Sequence, residues 1–148
     1  MSESPRHPDQ RRSGSARHKA RQHAVEILFE SDLRGTDPLA TLAARAEQAD
    51  PPVRELTDTL VRGVAEHTAE IDRRIQEHLN RGWALVRMPR VDRVIARLAV
   101  YELGWQPTET AVVVSEAVEL AGELSTDESP AFLHGLLGRL AMARDDQE

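Results

Sequence analysis

Six basic side chains stand within the first 23 residues: Arg6, Arg11, Arg12, Arg17, Lys19 and Arg21, against only Glu3 and Asp9. That stretch carries +4 and the rest of the chain −10, which together give the formal −6 of the whole. Guanidinium forks bind phosphate oxygens two at a time, so a cluster of this kind is a candidate polyanion contact. The same composition also fits a solubilising tail. Lys19 is the only lysine, and codon bias accounts for the general use of arginine better than function does. It does not account for the clustering.

Other chemistry is sparse. His7, His18 and His23 lie in or beside the basic stretch, and His67 and His78 are eleven residues apart. On one helix that separation spans three turns, too far for a shared ion. No histidine pair has the i, i+4 spacing of a helical zinc site with an adjacent acid. All six histidines therefore read as exposed surface groups, His134 on the outer side of its helix. There is no cysteine, which excludes disulfides and thiolate metal sites. No glycine-rich phosphate loop and no Gly-x-Ser-x-Gly elbow occurs. Asp127 and Glu128 form an acidic pair in a loop before a helix, where carboxylates complement the helix dipole. No catalytic group, metal or cofactor is expected.

The elements that must position these groups read as helices throughout. Residues 1–15 are rich in Ser, Pro, Gly, Arg and His without apolar periodicity, and are expected to form a disordered basic arm. From about Arg17 the spacing of Ala20, Ala24, Ile27, Leu28 and Ser31 is helical, and Gly35 supplies a stop. Asp37-Pro38 is an N-cap followed by proline at the first helical position, and Pro51-Pro52 ends that short helix. A long helix follows through Val53, Leu60, Ile71 and Leu79, with Gly82 beyond it and a short turn at Trp83 and Leu85. Pro89 opens the next helix, with Val91, Val94, Ile95 and Leu98 inward. The following helix buries Val113, Ala117, Leu120 and Leu124 and turns Glu116, Glu119 and Glu123 outward. Ser129-Pro130 starts the last helix, and the charged end from Arg144 is expected to fray. Val112-Val113-Val114 is too short to stand as a strand. The fold class is thus all-α, a bundle of about seven helices: an arm over 1–15, one domain over 16–142, and a charged tail over 143–148. No apolar run reaches the ~20 residues that cross a bilayer, and the chain reads as soluble and cytoplasmic.

Two residues break the binary pattern. Glu102 shares a face with Val91, Ile95 and Leu98, so its carboxylate must be paired or hydrogen-bonded, with an arginine or with another helix's N-terminal N–H groups. Phe29 points away from the Ala24–Leu28 face and continues a stripe with Val25 and Leu33. Either the helix is buried on two sides or the stripe is an apolar patch that meets a partner.

Three segments, in order, resemble the NusB family of transcription antitermination factors. They are ARHKARQHAVEILFE (16–30), LVRGVAEHTAEIDRRIQEHLNRGWALVRMPRVDRVIARLAVYEL (60–103) and VVVSEAVELAGELSTDESPAFLHGLLGRL (112–140). The matching positions include Gly63, Ile71-Asp72, Trp83, Pro89-Arg90-Val91-Asp92, Arg97 and Tyr101-Glu102-Leu103. The resemblance implies an all-α bundle in two small subdomains that binds boxA-type RNA of ribosomal leader transcripts. It implies NusE, a small-subunit ribosomal protein, as partner, and the RNA polymerase antitermination complex as the place of action. It leaves monomer and homodimer both open.

Carried over by position, the resemblance gives Arg17, Lys19 and Arg21, extended by Arg11 and Arg12, the role of binding RNA phosphates. Asp127 and Glu128 match a region that meets RNA bases, where a carboxylate can accept from exocyclic amines. Phe132 matches an aromatic near the RNA path, and His134 stands where the family has asparagine. Phe29, in place of a tyrosine, and Asp92 match positions facing NusE. Gly122 replaces a lysine, and the loop from Gly104 to Ala111 is slightly short. The alternative functions are a helical interaction or dimerisation module without specific RNA binding, and a fragment of an RNA cytosine methyltransferase. The latter needs a catalytic cysteine.

Overall fold

Helix ends fall where local chemistry puts them. The computed structural model describes the backbone over residues 8–146 and side chains over residues 16–144. Its elements are α1 (Pro8–Arg34), α2 (Pro38–Gln48), α3 (Glu55–His78), a 3-10 turn (Leu85–Arg87), α4 (Arg90–Trp105), α5 (Thr110–Leu124) and α6 (Ser129–Asp146). Gly35 follows α1 at φ +66°, and the Thr36 N–H returns to the Ser31 carbonyl at 3.0 Å. This left-handed closure gives the Ser31 carbonyl a donor, and glycine takes it without steric cost. Asp37 caps α2 by accepting from the Leu39 N–H at 2.9 Å, with Pro38 at the first position. The Val112–Val114 run lies inside α5, and the turn expected near Trp83 and Leu85 is the 3-10 segment.

α1 begins at Pro8, ahead of the apolar periodicity that starts near Arg17. Residues 1–7 of the expected arm lie outside the described residues, as do the side chains as far as Ser15. At the other end, α6 runs to Asp146. Arg144, expected to fray, instead donates to the carbonyls of Gln106 and Thr108 and to Thr110 Oγ1, each at 3.0 Å. Those loop carbonyls need donors, and the guanidinium reaches three acceptors at once.

α1, α2 and α3 pack on one another, as do α4, α5 and α6, and α1 and α3 cross onto α4 to join the halves. One continuous apolar cluster runs through both halves, from Ala24 and Leu28 through Leu60 and Ile95 to Leu133 and Leu137. Fully burying each such aliphatic side chain contributes about 1.5–3 kcal/mol. The α3–α4 crossing depends on Gly63, where an added Cβ would lie 2.0 Å from Tyr101 Cζ. α3 bends at His67, whose φ and ψ are −114° and 18°. Thr68 Oγ1 donates back to the Val64 carbonyl at 2.7 Å, a contact that bends helices. The His67 ring then stacks on Trp105, with centroids 4.4 Å apart. Among the described residues no helix is long and apolar enough to cross a membrane.

Candidate nucleic-acid interface

At the root of the basic arm, Arg17 and Lys19 are exposed on α1. Arg21, one turn on, is not. It is 2% exposed, and its Nε and Nη2 donate to the two carboxylate oxygens of Glu102 at 2.9 Å each. This corrects the phosphate-binding role expected of Arg21: its fork is spent on a buried acid and does not face solvent. It also decides between the partners open to Glu102. Burial opposes the charge on Arg21, but the hydrogen bonds and charge of Glu102 outweigh it and raise the pKa. Thr108 Oγ1 adds a bond to Glu102 at 3.3 Å. Arg11 and Arg12 lie among the residues whose side chains are not described.

The acidic face of α5, expected to point into solvent, is engaged by the same root. His18 Nδ1 lies 2.7 Å from Glu116 Oε2 and its Nε2 lies 2.7 Å from Glu123 Oε1. Glu119 is 3.9 Å away. A neutral imidazole has one N–H, so two carboxylate partners call for the doubly protonated ring. Burial lowers the His18 pKa, and the hydrogen bonds and charges of Glu116 and Glu123 more than reverse this, so it lies above the ordinary value. His18, Glu119 and Glu123 bring ligand atoms within 4.8 Å of one another, but the imidazolium itself supplies the positive charge these carboxylates need. Reading every histidine as a free surface group is therefore corrected for His18, and for His67, which is stacked against Trp105.

The loop before α6 presents Asp127 and Glu128 to solvent, with the Glu128 carbonyl accepting from the Phe132 N–H at 3.2 Å. Beneath it lies Asp92, 3% exposed, accepting from Ser125 Oγ at 2.5 Å and Ser129 Oγ at 2.9 Å. Asp92 was expected on a partner-facing surface. It is instead an internal tie from the first turn of α4 to both ends of the acidic loop, because those two hydroxyls satisfy a carboxylate that would otherwise be buried bare. Phe132 is half-buried and lies against Trp83, with centroids 6.1 Å apart and rings tilted by 37°. His134 is exposed one turn into α6.

At the far end of α1, Phe29 is half-buried while Leu33 is 58% exposed. The stripe is thus core at Val25 and surface at Leu33. Asp32 beside it accepts from Arg90 at 2.9 Å and Arg93 at 3.0 Å, with Arg97 at 3.5 Å. Arg97 also holds Asp72 at 2.8 and 3.0 Å. Burial would raise the Asp32 pKa, but the Arg93 hydrogen bond and the three arginine charges hold it below the ordinary value. Neither this hub nor the His18 cluster follows from sequence reasoning, since each joins residues far apart in the chain. The one available signal was the i, i+3, i+7 spacing of Arg90, Arg93 and Arg97, three cations on one face.

The profile of the NusB family matches residues 18–142. The chain is 50% identical over 129 residues to the transcription antitermination protein NusB of Saccharopolyspora erythraea, covering 85% of this chain and 86% of that protein. It is 55% identical over 123 residues to the protein of the same name from Acidothermus cellulolyticus, covering 82% and 84%. Its fold superposes on T. maritima NusB with a TM-score of 0.77 at 29% identity, over 85% of this chain and 90% of that one. A crystal structure of the antitermination factors NusB and NusE in complex with dsRNA contains a chain similar at TM-score 0.76 and 27% identity, over 86% and 96%. With its signature residues built into one helical core and its family profile matched over 125 of its positions, residues 18–142, the chain belongs to the NusB family.

Proposed function

We propose that this chain is a transcription antitermination factor that binds boxA-type RNA of ribosomal leader transcripts together with NusE, helping RNA polymerase resist termination. The observation that carries the reading is family membership over residues 18–142, beside a structural relative described as NusB and NusE with dsRNA. Arg17 and Lys19, with Arg11 and Arg12 before them, supply phosphate contacts, which set affinity and register but not sequence. Asp127 and Glu128 accept from base amines, Phe132 lies beside them, and His134 edges the same helix. Phe29 and Leu33 offer NusE an apolar contact. Asp92 acts indirectly, by fixing the loop that carries Asp127 and Glu128. The chain works in the cytoplasm, where transcripts are made, as a binding factor and not an enzyme. The buried acids Asp92 and Glu102 are committed to hydroxyls and to Arg21.

The test is a titration of single-stranded boxA-type RNA, with and without NusE, at several salt concentrations. The affinity should fall with salt at a log–log slope of about −0.7 per neutralised phosphate and exceed that for a scrambled RNA. No preference over the scrambled RNA in either arm would leave an interaction or dimerisation module as the reading, and light scattering would then assign monomer or homodimer.

A further inference from the structure

We propose that Trp83 is a stacking platform for one unpaired base of the bound RNA. The proposal rests on the RNA-binding reading above and goes beyond it in naming a residue and a contact that reading does not use. The chain has five aromatic side chains. Tyr101 and Trp105 stack with each other and with His67. Trp83 instead leaves 51% of its surface open, an unusual state for the largest apolar side chain.

The exposure is built in. Gln76 on α3 uses both ends of its amide on the Trp83 segment: Nε2 donates to the Trp83 carbonyl at 2.9 Å and Oε1 accepts from the Leu85 N–H at 2.9 Å. The Trp83 N–H donates to the Asn80 carbonyl at 3.0 Å, and Gly82 makes the turn at φ +89°. Phe132 covers part of the indole at 6.1 Å and leaves the rest free. A flat aromatic surface held in place this way stacks on any base, since every base has a π-face. Phe132 joins it to the acidic loop: the Asp92-bound Ser129 directly follows Asp127 and Glu128 and lies three residues before Phe132. The juxtaposition gives one base a stacking surface and the neighbouring base a carboxylate acceptor. The exposed apolar side chains of this segment are Trp83 and Val86, the latter 79% exposed, and a protein partner would call for a broader apolar surface than these two beside a half-buried phenyl ring.

The experiment measures binding of single-stranded boxA-type RNA to the full chain with NusE, for wild type, Trp83→Ala and Trp83→Phe. A set of RNAs made abasic at one position each is measured alongside. Trp83→Ala should weaken binding roughly 5- to 150-fold, and Trp83→Phe by less. The salt slope should stay unchanged, because stacking neutralises no phosphate. RNA binding should quench tryptophan fluorescence in wild type, and quench it far less in Trp83→Phe at saturation. One abasic position should reproduce the Trp83→Ala loss, with no further loss when the two are combined. Wild-type affinity in Trp83→Ala overturns the proposal. So does an equal added loss with every abasic RNA, which would mean that Trp83 acts only by supporting Phe132. Weaker NusE binding by Trp83→Ala without RNA overturns it in favour of a protein contact. If wild type shows no preference for this RNA, the RNA-binding reading itself fails, an outcome distinct from a failure confined to Trp83.

Discussion

Replacing Arg21 should damage the fold and not the phosphate interface. Arg21→Met leaves Glu102, 2% exposed, with only the Thr108 hydroxyl at 3.3 Å as a side-chain partner. Removing one partner of a buried ion pair costs about 3–5 kcal/mol, most of it the penalty of stranding the remaining charge. For a chain of this size 1 kcal/mol moves Tm by roughly 2–4 °C, so the melting point should drop by about 6–20 °C. Replacing both partners, Arg21→Met with Glu102→Met, removes the stranded carboxylate and should recover most of the loss, since apolar replacement of a buried pair is often neutral or better. The assay is thermal and urea unfolding, both followed by circular dichroism, on the two single variants and the double. RNA titration of the folded double variant across salt is the second arm. Its salt slope should equal that of wild type. A single variant within 0.5 kcal/mol of wild type, together with a double variant whose slope is shallower by ~0.7, would show that Arg21 meets phosphate and refute the reasoning.

Three other outcomes follow from the same geometry. Arg17→Ala with Lys19→Ala should lower the salt slope by about 1.4 and leave the thermal melt unchanged, because both side chains are exposed. For His18 the folded pKa lies above the unfolded value. Its stabilising contribution is therefore complete below the unfolded pKa, near 6.5, and is lost as pH rises through the folded pKa. Unfolding of wild type and His18→Gln at pH 6 and pH 9 should accordingly show a stability gap that shrinks at the higher pH, and an NMR titration of His18 should place its midpoint above 6.5. Gly63→Ala and Gly122→Ala should have opposite signs. The first forces a methyl into the Tyr101 ring and should destabilise by about 1–3 kcal/mol or more. The second meets only Pro130 Cγ at 3.9 Å and should stabilise by up to ~1 kcal/mol through helix propensity. Denaturant midpoints of the two check this.

The helices were legible because their causes are local. Asp37-Pro38, Gly35, Pro51-Pro52 and Pro89 act on the backbone within a turn of themselves, and the apolar periods of α3 and α4 need only a helix repeat and a core to face. The exposure of Asp127 and Glu128 was legible for the same reason, since a polar loop before a helix N-terminus stays in water. That Glu102 needs a partner could also be read, because an acid on an apolar face is a conflict visible in one helix. Which partner it takes could not. Arg21 and Glu102 are 81 residues apart, His18 and Glu116 are 98 apart, and nothing along the chain pairs them. Tertiary structure decided that Arg21 is interior, that Asp92 braces the acidic loop from beneath, and that Trp83 is held half open by Gln76. The physical reason is that a charge's role is set by what lies within a few ångströms of it, and in a bundle of crossing helices those neighbours come from distant parts of the chain.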